Sequence, residues 1–162
     1  MTARNLHILL LALSVGIVVP ACNTAPVFPA EPKIEVLDIY PDVVKSLQDS
    51  IFIVFKFQDG DGNLGSEDGE INLELIDSRI NNGLTREQAT SQFSVPNLTP
   101  NVKRPSIQGE ITVSMPFTIV IPPNTSQEVR YQVKLYDRAG NLATPIEGAE
   151  SSVYTDYITV VK

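Results

Sequence analysis

The sequence predicts an all-β fold, an antiparallel β-sandwich of about seven strands. Apolar residues recur at every second position within residues 51–58, 71–76 and 127–136, the period of a strand with one buried face. Clusters of Gly, Asn, Asp and Pro punctuate these runs at regular intervals, as turns between short strands do. Helical spacing is scarce, and no repeat or low-complexity tract is present.

Residues 33–40 (KIEVLDIY) are β-branched and apolar between Pro32 and Pro41, and form the first predicted strand. Residues 50–58 give the clearest one. Ile51, Ile53, Phe55 and Phe57 alternate there with Phe52, Val54, Lys56 and Gln58, so one face is wholly apolar and the strand belongs at the centre of the core. After the glycine-rich stretch 59–70 (DGDGNLGSEDGE), residues 71–76 resume the alternation with Ile71, Leu73 and Leu75 inward. Asn81-Asn82-Gly83 is a turn signal. Thr85 and Gln88 have capping-box spacing, so residues 85–93 form either a short helix or an irregular connection. Residues 106–114 and 115–121 read as strands divided by Pro116, the second an edge or bent strand stopped by Pro122-Pro123-Asn124. In residues 127–136, Val129, Tyr131, Val133 and Leu135 point inward against Arg130, Gln132, Lys134 and Tyr136. Residues 137–141 (DRAGN) make a turn, and residues 153–161 the last strand.

Ahead of these strands, Arg4 precedes an apolar run, residues 8–19, broken only by Ser14 and Gly16 and ending at Val19-Pro20-Ala21-Cys22. A bilayer-spanning helix needs about 20 apolar residues, more than this run supplies. A charged start, an apolar middle and small residues at the end outline a secretory signal instead. The segment resembles the signal of bacterial lipoproteins, with apolar Val19 three residues before the cysteine and small Ala21 just before it. That resemblance implies a signal peptide over residues 1–21, with Cys22 as the lipidated first residue of the mature chain. Plain secretion and an uncleaved anchor are the competing readings. Two or more acyl chains make a lasting membrane attachment. Prolines 26, 29 and 32 make residues 22–32 a semi-extended linker, whose last ten residues reach roughly 30 Å at about 3.1 Å each. Asn23 is not the aspartate that holds such lipoproteins at the inner membrane in some bacteria. The resemblance therefore implies an outer-membrane lipoprotein of the cell envelope, on its periplasmic face or at the cell surface.

Without residues 1–21 the chain is long enough for one domain with a single core, residues 33–162. Those 21 residues carry one base and no acid, so their loss takes the formal charge from -7 to -8. Nucleic acid is thereby excluded as an expected partner, since phosphate binding needs clustered Lys and Arg. With its one cysteine acylated, the domain is held by packing alone. The strand pattern, and a penultimate strand closing in Asp137, Gly140 and Asn141, resemble the immunoglobulin-like, fibronectin-type domains of exported bacterial proteins. Antibody hallmarks are absent, there being no Trp and no cysteine pair. In that topology residues 59–70, residues 137–141 and the start of the first strand lie at one end of the sandwich.

Asp59, Asp61, Glu67, Asp68 and Glu70 place five carboxylates in twelve residues without a base among them. Two such charges about 6 Å apart repel by roughly 0.7 kcal/mol even in bulk water. A hard cation such as calcium would relieve that repulsion. Asp59, Asp61, Asn63 and Glu70 match the first, third, fifth and twelfth positions of the EF-hand loop. Leu64 stands where that loop needs glycine, and strands flank the segment, so the EF-hand itself is rejected. A looser calcium loop stays open, with Asp59, Asp61, Asn63, Glu67, Glu70, Asp137 and Asn141 as candidate ligands; cadherin-like domains place calcium comparably. The competing reading is that Asp, Asn and Gly simply make solvated turns.

Catalysis has few components here. The one histidine, His7, lies in the signal, so triad, thiol and zinc chemistry lack their usual groups in the mature chain. The glycine-rich stretch is acidic and opens toward a strand, which excludes a phosphate cradle. The expectation is a non-catalytic, lipid-anchored binding or structural module that contacts another envelope protein. The alternative is a calcium-assisted glycan-binding or adhesion module, drawing on Tyr40, Tyr131, Tyr136, Tyr154 or Tyr157, of which Tyr136 points outward near the acidic end.

Overall fold

A computed structural model describes residues 27–99, 106–148 and 153–162; the expected signal peptide and Cys22 lie outside them. In chain order the elements are β1 (Lys33–Tyr40), β2 (Val43–Lys45), β3 (Ile51–Asp59), β4 (Leu73–Asp77), α1 (Arg86–Ala89), β5 (Thr90–Phe93), β6 (Ile107–Met115), β7 (Ser126–Val129), β8 (Tyr131–Leu135), β9 (Thr144–Pro145) and β10 (Ile158–Val161). Among the described residues no helix is long and apolar enough to cross a membrane.

Two sheets face each other. In the first, the order is β6-β3-β1-β9, and β3 is antiparallel to both β1 and β6, from Ile51 opposite Met115 to Asp59 opposite Ile107. In the second, β5-β4-β8 and β2-β10-β7 are joined because only Arg130 separates β7 from β8. Residues 153–155 carry the pairing across that gap: Val133 N–H donates to Val153 O at 2.8 Å, and Thr155 N–H to Tyr131 O at 2.9 Å. The second layer therefore reads β5, β4, β7 with β8, β10, β2. The chain crosses from one layer to the other after β1, and β2 then runs parallel to β10. This is the immunoglobulin-like arrangement, with β1, β3 and β6 facing β4, β7 with β8, and β10.

The core lies between the layers. Ile51, Ile53, Phe55 and Phe57 of β3 meet Leu73 and Leu75 of β4, Val129 of β7, Tyr131, Val133 and Leu135 of β8, and Ile158 and Val160 of β10, all buried. Each such side chain removed from water stabilises the fold by about 1.5–3 kcal/mol before entropy is counted. In β1 the inward set is Ile34, Val36 and Ile39, the change of parity coming from a bulge between Val36 and Asp38.

Some expectations give way. Residues 116–121 join no strand, because Pro116 and Pro122 bracket them without an N–H to donate; Thr118 and Val120 are nonetheless buried. Ile71 is exposed, since pairing in that segment begins at Leu73. Residues 153–157 hold only an isolated bridge, from Tyr154 to Gln132, and regular pairing starts at Ile158. The short helix does form, with Thr85 and Gln88 in a reciprocal capping box. It lasts only four residues because Thr90 turns extended and β5 pairs with β4.

Candidate functional site

The inward face of three core strands does not stop at the last apolar residue. One period beyond Phe57, Leu75 and Leu135 stand Asp59, Asp77 and Asp137, exposed by only 0%, 5% and 5%. A buried carboxylate must find donors or a counter-charge, or its ionisation is penalised. The three find different solutions.

Asp77 is paired. Arg79 Nη2 lies 2.6 Å from Asp77 Oδ2, and Arg79 Nε donates to Oδ1 at 3.0 Å. The same guanidinium donates through Nη1 to Ile119 O at 2.7 Å and through Nη2 to Thr118 Oγ1 at 3.2 Å. Tyr131 OH completes the cluster with a 3.0 Å bond to Thr118 Oγ1, and burial pushes the ionisation of Tyr131 well above its usual range. This network ties β4, β8 and residues 118–119 together.

Asp137 is capped within its own turn. Asn141 donates from its backbone N–H to Asp137 Oδ1 at 2.7 Å and from Nδ2 to Oδ2 at 2.8 Å. Gly140, at φ +84°, supplies the left-handed residue that brings Asn141 back.

Asp59 is half satisfied. Its Oδ2 accepts the Leu64 N–H at 3.0 Å, while Oδ1 is buried without a partner. Asn63 Oδ1 is likewise buried and unpartnered. Asp61 bridges between them in sequence, its Oδ1 accepting the Asn63 N–H at 3.2 Å and its Oδ2 the Asn63 Nδ2 at 2.9 Å. Desolvation first, and the Asp61 charge second, push the Asp59 carboxyl up from 3.8 to about 6.

The loop after β3 and the turn after β8 are neighbours, as the topology requires. Leu64 bridges to Asp137, and Arg138 N–H donates to Asn63 O at 3.3 Å. The Arg138 guanidinium clasps the loop by its carbonyls, at 3.4 Å to Leu64 O, 3.2 Å to Gly65 O and 3.5 Å to Gly62 O. Thr99 Oγ1 adds a 3.1 Å bond to Gly62 O. The lead into β1 reaches the same end, where a Cβ on Gly60 would stand 2.2 Å from Phe28 O. Sequence reasoning treated Arg138 only as part of a turn, and nothing in its spacing marks it as the clasp.

Between the loop and the turn lies an open cleft of about 430 Å³, lined by Glu67, Asp68, Glu70, Tyr136, Asp137 and Arg138 among others. Glu67 Oε1 accepts from Asn97 Nδ2 at 3.2 Å, and Glu70 is exposed. The candidate ligands thus divide: Asp59, Asp61 and Asn63 share one five-residue turn, Glu67 and Glu70 face the cleft, and Asp137 and Asn141 bond each other. Among the described residues no three His, Cys, Asp or Glu side chains converge to hold a metal by themselves. The tyrosines divide too. Tyr131 is buried, Tyr40 stacks on Phe52 at 5.2 Å, and Tyr154 and Tyr157 flank Arg130 at 4.9 and 5.0 Å. Only Tyr136 lines the acidic cleft.

No family model matches the chain, and no curated protein matches it. Among solved structures it is similar to a Niemann-Pick type C2 protein from Japanese carpenter ant, with 10% identity and a TM-score of 0.37. That match covers 85% of this chain and 98% of the other.

Proposed function

We propose that this chain is a lipid-tethered, immunoglobulin-like module of a bacterial cell envelope that binds another envelope protein and catalyses nothing. The observation that carries the reading is the passage from the apolar run through Val19-Pro20-Ala21-Cys22 and a proline-rich linker into a strand at Lys33. A fold of this kind is compatible with many functions, so the role is argued from the tether and the cleft. The lead into β1 docks beside Gly60, so the tethered end is also the end that carries the cleft. With Phe28 and Pro29 docked beside Gly60, only about five residues of spacer are left to span, roughly 15 Å at about 3.1 Å each, so a partner would be met close to the lipid surface.

The test is labelling of growing cells with a radioactive fatty acid, followed by fractionation of inner and outer membranes. Label in the outer-membrane fraction that vanishes with Cys22→Ala supports the reading. Native protein that keeps Met1, or carries an unmodified thiol at Cys22, sinks it.

A second reading, a calcium-assisted glycan-binding or adhesion module, is favoured by the cleft itself, where Tyr136 offers an aromatic face beside Glu67, Glu70 and Arg138. Glycan-array binding that is lost with chelator and with Tyr136→Ala supports it. Array binding that chelator leaves intact removes calcium from the account, and an empty array removes the glycan.

A further inference from the structure

The three inward aspartates form an internal comparison. Two have all the partners a buried carboxylate needs, from Arg79 in one case and Asn141 in the other. The third does not, although it is the most deeply buried of them. Asp59 Oδ1 and Asn63 Oδ1 are both sealed from solvent, both lack a donor, and both belong to the turn closed by the Leu64 N–H bond to Asp59 Oδ2. Asp61 adds a carboxylate whose two oxygens each accept only one hydrogen bond, so lone pairs remain. Buried side-chain oxygens that no donor reaches, in the same turn as a further carboxylate, are what a hard cation satisfies.

We propose that the Asp59–Asn63 turn is a calcium site, with Asp59 Oδ1, the Asp61 carboxylate and Asn63 Oδ1 as its protein ligands. Arg138 does not take the cation's place: its guanidinium is spent on the carbonyls of Gly62, Leu64 and Gly65, and among the described residues neither Asp59 nor Asp61 is in a salt bridge. Calcium takes six to eight oxygens and tolerates irregular geometry, whereas magnesium demands a regular octahedron. Three protein ligands leave the remaining positions to water. The affinity belongs in the weak extracellular range, with Kd of about 10⁻⁴–10⁻³ M. Glu67, Glu70, Asp137 and Asn141 are not ligands of this site. The proposal deepens the calcium-assisted reading by naming where the metal sits, and its test uses calcium without any glycan, so the two fail separately.

The experiment is thermal unfolding of the full chain in detergent, stripped with chelator and titrated with calcium chloride at constant ionic strength. At about 10 mM calcium the midpoint should rise by roughly 5 °C. Asp59→Asn and Asp61→Asn should each remove most of that rise; Asp61 is exposed, so its variant keeps the result readable where Asp59→Asn fails to fold. The double variant Glu67→Gln with Glu70→Gln should keep the rise. Absence of a shift in the parent chain, an equal shift with magnesium, or an Asp61→Asn response equal to the parent's overturns the site.

Discussion

The backbone N–H of Leu64 donates to Asp59 Oδ2 at 3.0 Å, on a buried carboxylate whose other oxygen, Oδ1, has no hydrogen-bond partner among the described residues. Desolvation, and then the Asp61 carboxylate, outweigh the pull of the Leu64 and Asp61 backbone N–H groups, which is why the folded chain holds the Asp59 proton up to about 6 against an ordinary 3.8. The folded state therefore binds this proton more tightly than the unfolded state does.

The sign of the pH dependence follows for the calcium-free protein. The contribution of Asp59 is fully present below pH 3.8 and is lost as pH rises through about 6. Urea unfolding in chelator at pH 4, 5, 6 and 7 should show the parent losing stability relative to Asp59→Asn across that interval. Parallel curves for the two proteins would contradict the assignment.

Arg79 is the counter-charge for Asp77, and both side chains are almost wholly buried. Arg79→Met should leave an unpaired carboxylate in the core and destabilise the chain by about 3–5 kcal/mol. Adding Asp77→Leu removes the stranded charge, so the double variant should be more stable than Arg79→Met alone. Equilibrium denaturation of the two variants and the parent decides it. A double variant no better than the single one would mean that the hydrogen bonds to Ile119 and Thr118, and not the charge pair, hold this corner.

At the helix, Thr85 Oγ1 accepts the Gln88 N–H at 3.3 Å while Gln88 Oε1 accepts the Thr85 N–H at 3.0 Å. Thr85→Ala should cost about 1 kcal/mol, the usual size for loss of an N-cap. The check is the shift in urea midpoint at unchanged slope. No measurable shift would show that β5, and not the cap, fixes this segment.

The sandwich was legible because the period of two is a direct image of a half-buried strand, and β3 and β8 carry it without interruption. The same pattern held more than was read from it. Extended by one step it places Asp59 and Asp137 inward, where composition alone groups Asp59 with a solvated acidic loop. β2 and β9 leave no mark in the sequence because strands of three and two residues have no period to display. The proximity of residues 59–70 to residues 137–141 follows from topology. Which oxygens lack donors does not, because Asn141 and Leu64 are assigned to Asp137 and Asp59 by turn geometry that residue types leave open. The clasp by Arg138 is equally silent in sequence, since its acceptors are backbone carbonyls that every residue owns.

Gly60 and Gly140 offer a last contrast at the same end of the molecule. A Cβ on Gly60 would lie 2.2 Å from Phe28 O and 2.3 Å from Pro29 O, closer than side-chain carbons approach backbone oxygens. Gly60→Ala must then push the lead into β1 off the loop, at a cost of about 1–3 kcal/mol for overpacking. Gly140 has nothing within 4 Å of its Cβ position, but its φ of +84° makes alanine pay a backbone penalty of about 1–2 kcal/mol. Stability alone does not separate the two variants; limited proteolysis does. Gly60→Ala should expose residues 27–32 to cleavage while Gly140→Ala leaves them as protected as in the parent, because only the first substitution strikes the lead into β1. Equal protection in both variants would show that the lead-in is held by contacts other than its approach to Gly60.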